Sequence, residues 1–215
     1  MNDYDRTEQN SARENIEETP FLFRGEALAL DLVNTEIMVR GKRRDLLMTP
    51  EDVVSWWRAA CHHQPQKDDV RTENEGETVY DLALLHALIT LRTALRGIFS
   101  ALVEERTPGK EDLSVLNDVL STGYPSLDLT EEGNLLPVYR TTDTRRGTVL
   151  LPVALSALRL IHKSDRKRLH QCDNGRCILF FYDTTRSATR RWCSLGCMDR
   201  ARSARRYEQA KQEKS

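Results

Sequence analysis

The sequence predicts an α+β fold that is mostly helical: a helical body with a small β-hairpin or sheet, followed by a small cysteine-rich module. Three observations lead to this prediction. Apolar residues recur at helical spacing, most clearly from Val79 to Arg106. Two short apolar runs on either side of a turn sequence are typical of paired strands. Four of the five cysteines lie between Cys172 and Cys197.

Composition divides the chain into three parts. Residues 1–19 are polar and without periodicity, so we predict a disordered tail. We assign 20–163 to the body and 164–215 to the module. From Arg159 to Ser215 there are 15 Lys and Arg against 6 Asp and Glu, a net charge of +9, so the remainder carries -10. An acidic body with a basic module indicates an anionic partner for the module, and nucleic acid is the first candidate.

The body begins with a predicted helix around Leu28–Glu36, in which Leu28 and Leu32 share one face. Asp31 and Asn34 are three apart, so they are neighbours on its surface. Either they cap a turn or bond to a neighbouring backbone, or they contact a small ligand in a sensing pocket. We favour the first interpretation.

A second helix is predicted from Pro50 to about Ala60. Thr49 is its N-cap, Pro50 its first residue, and Asp52 stands at the capping-box position. At least one of its two adjacent tryptophans should be a core residue. Cys61, His62 and His63 are interpreted as loop residues rather than metal ligands, and a polar loop is predicted from Gln64 to Thr78.

The longest helix is predicted within Val79–Arg106, and its apolar stripe is broad enough to be packed on several sides. Pro108 and Gly109 end it. A shorter amphipathic helix follows from Lys110 to Leu120, with four apolar residues facing inward: Leu113, Leu116, Val119 and Leu120.

A strand pair is predicted next, formed by Leu135–Tyr139 and Thr148–Leu151 around a turn at Asp143–Gly147. Pro152 would then open a helix that continues to Ile161. The basic junction Lys163–Arg168 is either a continuation of this helix or a short linker.

The cysteine spacing predicts a metal site. Cys172 and Cys177 flank a turn sequence, and Cys193 and Cys197 are four apart, which would place both sulfurs on one face of a helix. Two close pairs of thiolates are what a tetrahedral zinc ion requires, so we predict one zinc ion bound by all four. Because no position is left for water, the zinc should be structural. Four thiolates and one zinc ion carry about -2, which lowers the charge of the module to about +7.

Around the cysteines, the run Arg190-Arg191-Trp192-Cys193-Ser194 resembles the bacterial CGNR zinc-finger family. The chain departs from that family at its signature, since Met198 and Asp199 replace glycine and asparagine. An aspartate there would repel a phosphate. Leu28 to Thr35 is similar to the opening of the ABATE domain, which precedes such fingers and is associated with stress-responsive transcription regulators. The resemblance implies a treble-clef-like finger with four cysteine ligands behind a mixed, mostly helical domain.

The segment Ser194–Gln209 contains no proline and is predicted to be helical. At 100° per residue, Ala201 and Ala204 would face the metal, and Arg200 and Tyr207 would flank the buried side, with Arg200 available to a thiolate or to the hairpin backbone. The residues expected to contact nucleic-acid phosphates are Arg190, Arg191, Arg202, Arg205 and Arg206.

The leading hypothesis is a transcription regulator that binds DNA through the finger, while the body senses a small ligand or mediates assembly, for example as a homodimer. The alternative is a zinc-stabilised protein-interaction module without direct DNA binding. A phosphate loop, a nucleophile elbow and a histidine–carboxylate metal motif are all missing from the sequence, so an enzyme is not expected. No signal sequence or run of eighteen apolar residues is present, which predicts a cytoplasmic protein without a membrane span.

Overall fold

The computed structural model describes residues 20–23, 27–63, 71–73, 77–130 and 132–212. The predicted disordered tail lies outside these residues. In chain order the elements are α1 (Leu28–Val33), β1 (Glu36–Val39), β2 (Lys42–Asp45), α2 (Pro50–His63), β3 (Arg71–Glu73), α3 (Leu82–Val103), α4 (Lys110–Ser121), β4 (Gly123–Leu129), β5 (Leu135–Thr141), α5 (Gly147–His162), a 3-10 turn (Arg166–Arg168), β6 (Leu169–Gln171), β7 (Phe180–Tyr182) and α6 (Leu195–Gln212). The predicted α+β class, mostly helical, is confirmed.

Helix α3 is the centre of the body, as its apolar stripe predicts. It contacts α1, α2, α4 and α5, and also β6 of the cysteine-rich module. Its fully buried side chains come from more than one face of the helix: Leu84, Leu88, Leu91, Leu95, Ile98 and Phe99. Asp81 caps its first turn by accepting a hydrogen bond from the Leu84 amide at 2.9 Å.

Helix α3 also has the length and composition of a membrane span, and no other helix in the described ranges does. Half of its most apolar window is buried inside the structure, and core helices of soluble proteins meet the same criterion.

Helix α1 is shorter than predicted. It ends at Val33, and Glu36 already lies in a strand. Its last turn is taken up by bonds outside the helix, since the Arg96 guanidinium donates to the Val33 carbonyl at 2.6 Å and the Thr35 hydroxyl donates to the Leu32 carbonyl. If the helix continued, the Leu32 and Val33 carbonyls would instead accept hydrogen bonds from backbone amides of its next turn.

Helix α2 begins as predicted. The Asp52 amide donates to the Thr49 hydroxyl at 3.3 Å, and the Asp52 carboxylate accepts from the Thr49 amide at 2.9 Å, which is a reciprocal capping box. Trp56 is fully buried. The helix extends to His63, so the prediction that Cys61 to His63 form a loop was wrong. The Phe23 ring stacks on His63 at 4.8 Å, which holds this last turn in place.

The predicted strand pair was wrong in one of its two strands. β5 pairs with β4 on one side, antiparallel, and with β3 on the other, parallel. β3 lies inside the segment predicted to be a polar loop. The residues 148–151 belong instead to α5, which packs against α1 and α4. A short apolar run buried on all sides looks the same in a strand and in a helix, so the pattern alone could not decide.

Two further predictions were wrong, one about an inward-facing residue and one about the start of a helix. Leu113 on α4 is 37% exposed rather than inward-facing. Pro152 lies inside α5 rather than at its start, because the helix begins at Gly147. The Asp143 carboxylate holds the turn that precedes this helix by accepting hydrogen bonds from the Arg145 and Arg146 amides.

Candidate metal centre and basic helix

The first cysteine pair lies on a turn that directly follows β6. The Cys172 amide bonds to the Leu179 carbonyl at 2.9 Å, and the Cys177 amide bonds to the Asn174 carbonyl at 2.7 Å. The buried Asn174 side chain donates to the Cys197 carbonyl at 3.0 Å and accepts from the Arg176 amide. Asn174 therefore ties the first pair to the second. None of the residues from 173 to 175 has a positive φ, so the turn does not use the left-handed backbone that its composition would tolerate.

The second pair lies at the start of α6. Cys197 is in the first turn, and the Ser194 hydroxyl accepts from its amide at 3.2 Å, so Ser194 caps the helix. Cys193 precedes the helix rather than belonging to one of its faces. The chain before α6 brings its sulfur towards the first pair, and the Cys193 amide donates to the Cys172 sulfur at 3.4 Å.

The four sulfurs form one cluster. All lie within 4.8 Å of one another. The Sγ atoms of Cys177 and Cys193 are 3.7 Å apart, and those of Cys193 and Cys197 are 3.5 Å apart. A tetrahedron with zinc–sulfur bonds of about 2.3 Å has edges of roughly 3.8 Å. The sulfur positions thus fit a single tetrahedral zinc ion, and the structure describes all five cysteines as free of disulfide bonds.

The electrostatics of the cluster also call for a cation. Hydrogen bonds from Cys177 and Cys193 hold the pKa of the Cys172 thiol well below its usual range, while the same contact with Cys172 raises the pKa of the Cys177 thiol. Because Cys172, Cys177 and Cys193 hydrogen-bond to one another, these three thiols do not all ionise together. A divalent ion supplies the charge that allows four thiolates to coexist in a buried place. The Arg200 guanidinium, 3.1 Å from the Cys197 sulfur, adds a positive charge from α6, as predicted.

Arg190 and Arg191 both have partners within the finger, although Arg191 is exposed. The Arg190 guanidinium donates to the carbonyls of Trp192 and Cys193, and it lies over the Phe181 ring at 4.6 Å. Arg191 pairs with the Asp173 carboxylate at 2.5 Å. Both residues stabilise the loop that carries Cys193, and their contacts to phosphates stay a prediction.

Arg202, Arg205 and Arg206 are exposed, and they form no ion pair with any residue in the described ranges. The chain from Arg202 to Gln209 is exposed on every side of the helix. Ala204 and Tyr207 were therefore wrongly predicted to face or flank the buried side, and Tyr207 is 74% exposed. Beyond Ala201, α6 projects away from the finger.

Of the two candidate ligand contacts, Asp31 in α1 and Asn34 just after it, Asn34 has a structural role that its position in sequence does not reveal. Its side-chain amide donates to the Phe180 carbonyl at 2.9 Å and accepts from the Phe180 amide at 3.0 Å. Asp31 is also buried. The favoured interpretation was a turn cap or a bond to a neighbouring backbone. Asn34 does bond to backbone, but this backbone is that of Phe180, 146 residues away.

Arg96 is a second connection between body and finger, and the sequence analysis missed it. Its guanidinium donates to the Val33 carbonyl and, at 3.0 Å, to the Ile178 carbonyl of the finger. It also pairs with the Glu36 carboxylate at 3.1 Å. An arginine inside an apolar helical stripe was the available signal, since such a charge must find partners when it is buried.

Two family models match the chain. The ABATE model, described as "Putative stress-induced transcription regulator", matches residues 26–164, which is more than half of the chain. The CGNR zinc finger model matches residues 168–210. No curated protein matches the chain. The finger match and the four clustered cysteines together assign one structural zinc ion to this centre.

Proposed function

The chain belongs to the ABATE family and carries a C-terminal CGNR zinc finger, and from this premise we propose that it is a transcription regulator that binds DNA through the finger. The body would sense a ligand or mediate assembly, such as dimerisation. We place the protein in the cytoplasm, where bacterial DNA is accessible.

The observation that carries this proposal is the projecting part of α6. Arg202, Arg205 and Arg206 are exposed together on a helix whose described residues are exposed beyond its first two turns. Over Leu195–Gln212 there are five basic residues against two acidic ones, Asp199 and Glu208. Arginines without an acidic partner on a helical surface are suited to phosphate oxygens, which fix a protein on DNA without reading its sequence. Asp199 lies one turn before Arg202, so the phosphate contacts should come from the arginine face.

We also propose that the protein is not an enzyme and that the zinc ion holds the finger in shape. Four cysteine ligands leave no open coordination position for a water molecule or a substrate. The role of the metal is then to fix the start of α6 against the first cysteine pair, and thereby to aim the arginine face.

The test is a fluorescence-anisotropy titration of full-length, zinc-loaded protein with duplex DNA at about 50 mM and about 200 mM salt. We expect binding that weakens steeply with salt and is largely lost in the Arg202→Ala/Arg205→Ala/Arg206→Ala variant. The matched control is Arg106→Ala/Lys110→Ala/Arg145→Ala, which removes the same charge from exposed positions on the body. The proposal fails if wild-type protein does not bind at the lower salt, or if both variants weaken binding equally.

The alternative is a zinc-stabilised protein-interaction module. Leu195 at the start of α6 is 75% exposed, and Tyr207 is 74% exposed on the same helix. Exposed large apolar side chains suit a protein surface better than a phosphate backbone. This function would be favoured if DNA binding were absent while Tyr207→Ala abolished a salt-insensitive protein contact.

A further inference from the structure

The β1–β2 hairpin carries a local concentration of positive charge on the acidic body. The basic hairpin is defined here as residues 40–44, which read Arg-Gly-Lys-Arg-Arg. All five residues are exposed. The turn places Arg40 and Gly41 at φ 51° and 80°, so both adopt the left-handed backbone of a tight two-residue hairpin. The turn thus holds the Arg40 side chain at the tip, although only Gly41 adopts this backbone without strain.

The two carboxylates nearest the hairpin are engaged at its base. Asp45 receives two hydrogen bonds from the buried Arg92, at 2.6 and 2.5 Å. Glu36 pairs with Arg96 and, at 3.4 Å, with Arg43. Arg40, Lys42 and Arg44 therefore remain uncompensated within the described part of the chain.

The hairpin faces the zinc finger across a cleft of about 740 Å³. Arg40 and Gly41 line one wall, and Arg176 and Arg200 line the other. Among the residues that the structure describes, no aspartate or glutamate lines it. The lining includes three of the four zinc-ligating cysteines, and a zinc ion with its four thiolates carries a formal charge of about -2, of which Arg200 offsets part. An anion is therefore better placed against the arginines that line the cleft than on the sulfurs.

The two walls are connected by side chains at their base. Arg96 bonds to Glu36 at the base of β1 and to the Ile178 carbonyl in the finger, so one side chain fixes both. Asn34 pairs with the Phe180 backbone beside it. Positive groups held in a fixed geometry bind an extended polyanion without the entropy cost of ordering the walls first.

We propose that the basic hairpin is a second DNA-binding element, which with the finger forms a two-walled cleft for the phosphate backbone of a duplex. This rests on the proposed function and extends it from the finger to the body. Such an arrangement explains why a body with more acidic than basic residues concentrates exposed positive charge beside the metal centre.

The experiment compares three zinc-loaded, full-length proteins in the same anisotropy titration with duplex DNA. They are wild type, the hairpin variant Arg40→Gln/Lys42→Gln/Arg44→Gln, and the body control Arg106→Gln/Lys110→Gln/Arg145→Gln, which has the same net charge. We expect the hairpin variant to lose about tenfold or more in affinity and its logarithmic salt slope to fall by about three, while the control changes little. Zinc content and thermal unfolding should match wild type in both.

A charge-conserving variant, Arg40→Lys/Arg44→Lys, should stay within about threefold of wild type, because non-specific phosphate contacts require charge rather than a guanidinium. Equal losses in the hairpin variant and the body control would overturn the inference. If the α6 arginine variant alone lost binding, the proposed function would stand and the hairpin proposal would fall. If wild-type protein bound no DNA, both would fall.

Discussion

Asn34 and Phe180 exchange two hydrogen bonds across the boundary between the body and the finger. The amide nitrogen of Asn34 donates to the Phe180 carbonyl at 2.9 Å, and its oxygen accepts from the Phe180 amide at 3.0 Å. Both residues are fully buried. The Asn34 side chain thereby pairs with β7 as a neighbouring strand would. The Phe180 ring packs in the same core, 6.2 Å from the Phe99 ring of α3.

Replacing Asn34 should loosen this attachment. Asn34→Ala removes two buried hydrogen bonds and leaves the Phe180 amide and carbonyl unsatisfied, so we expect a loss of about 3 kcal/mol in the free energy of unfolding. Urea unfolding of zinc-loaded protein measures it. Asn134→Ala is the control at an exposed loop position, where a change within about 0.5 kcal/mol is expected. Equal stability of the two variants would contradict the structural role of Asn34.

Arg96 should control how firmly the finger is held. Arg96→Met keeps the length of the side chain but removes the bonds to the Val33 and Ile178 carbonyls and leaves Glu36 without its partner. We expect a destabilisation of about 3 kcal/mol. Zinc transfer to a competing chelator should also be faster, because local opening of the finger becomes more frequent.

The control for Arg96 is Arg43→Met. Arg43 pairs with the same Glu36 carboxylate but is 63% exposed, so its loss should cost less than about 0.5 kcal/mol. Zinc release at the wild-type rate from Arg96→Met would show that the finger does not depend on this arginine.

The four-cysteine metal centre predicts which cysteine substitutions remove the zinc ion. Cys177→Ser should reduce bound zinc from one ion per chain to nearly none, since three thiolates and a hydroxyl form a much weaker zinc site. Metal analysis and far-UV circular dichroism measure this, with most of the body helices retained because residues of the body form most of the core that packs them. Cys61→Ser lies in α2, apart from the sulfur cluster, and should keep one zinc ion. Full zinc content in Cys177→Ser would refute the four-cysteine assignment.

The Arg92–Asp45 pair predicts a dependence of stability on pH. Burial alone would raise the pKa of the Asp45 carboxyl, but hydrogen bonds from Arg92 and the Leu47 amide outweigh it, so the pKa is lowered. A carboxylate whose pKa is lowered by folding stabilises the fold above its unfolded pKa of about 3.9, and this contribution is lost as the pH falls through the folded value.

The pH prediction is tested against Asp45→Asn, which cannot ionise at this position. Wild type should be more stable than the variant near neutral pH, and the difference in unfolding free energy should shrink as the pH falls below about 4. Measuring both proteins at each pH cancels the effect of acid on the zinc thiolates, which both contain. A difference that stays constant to about pH 3 would contradict the pairing.

Features that depend on neighbouring residues were predicted well. Thr49 and Asp52 form the capping box of α2 as expected, because both partners lie within one turn. Helix α3 was predicted from its apolar spacing, and the cysteine cluster from two short spacings. Chemistry alone limits what four close thiolates can bind, so the zinc centre did not require knowledge of the fold.

Features that depend on distant partners were not predicted. Nothing near Arg96 in sequence shows that it bonds to both Val33 and Ile178. Nor does the sequence near Arg190 show that its guanidinium bonds to two carbonyls and lies over the Phe181 ring. A side chain can be assigned to solvent or to the interior only when the elements packed around it are known.

The sequence by itself determined the helical body, the four zinc ligands and the basic character of α6, because periodicity, thiolate spacing and charge are local properties. Only the tertiary structure decided that residues 148–151 are helical, that Asn34 pairs with Phe180, and that the basic hairpin faces the finger. The physical reason is burial. A segment enclosed on all sides loses its periodic pattern, and a buried polar group takes whichever partner packing brings to it.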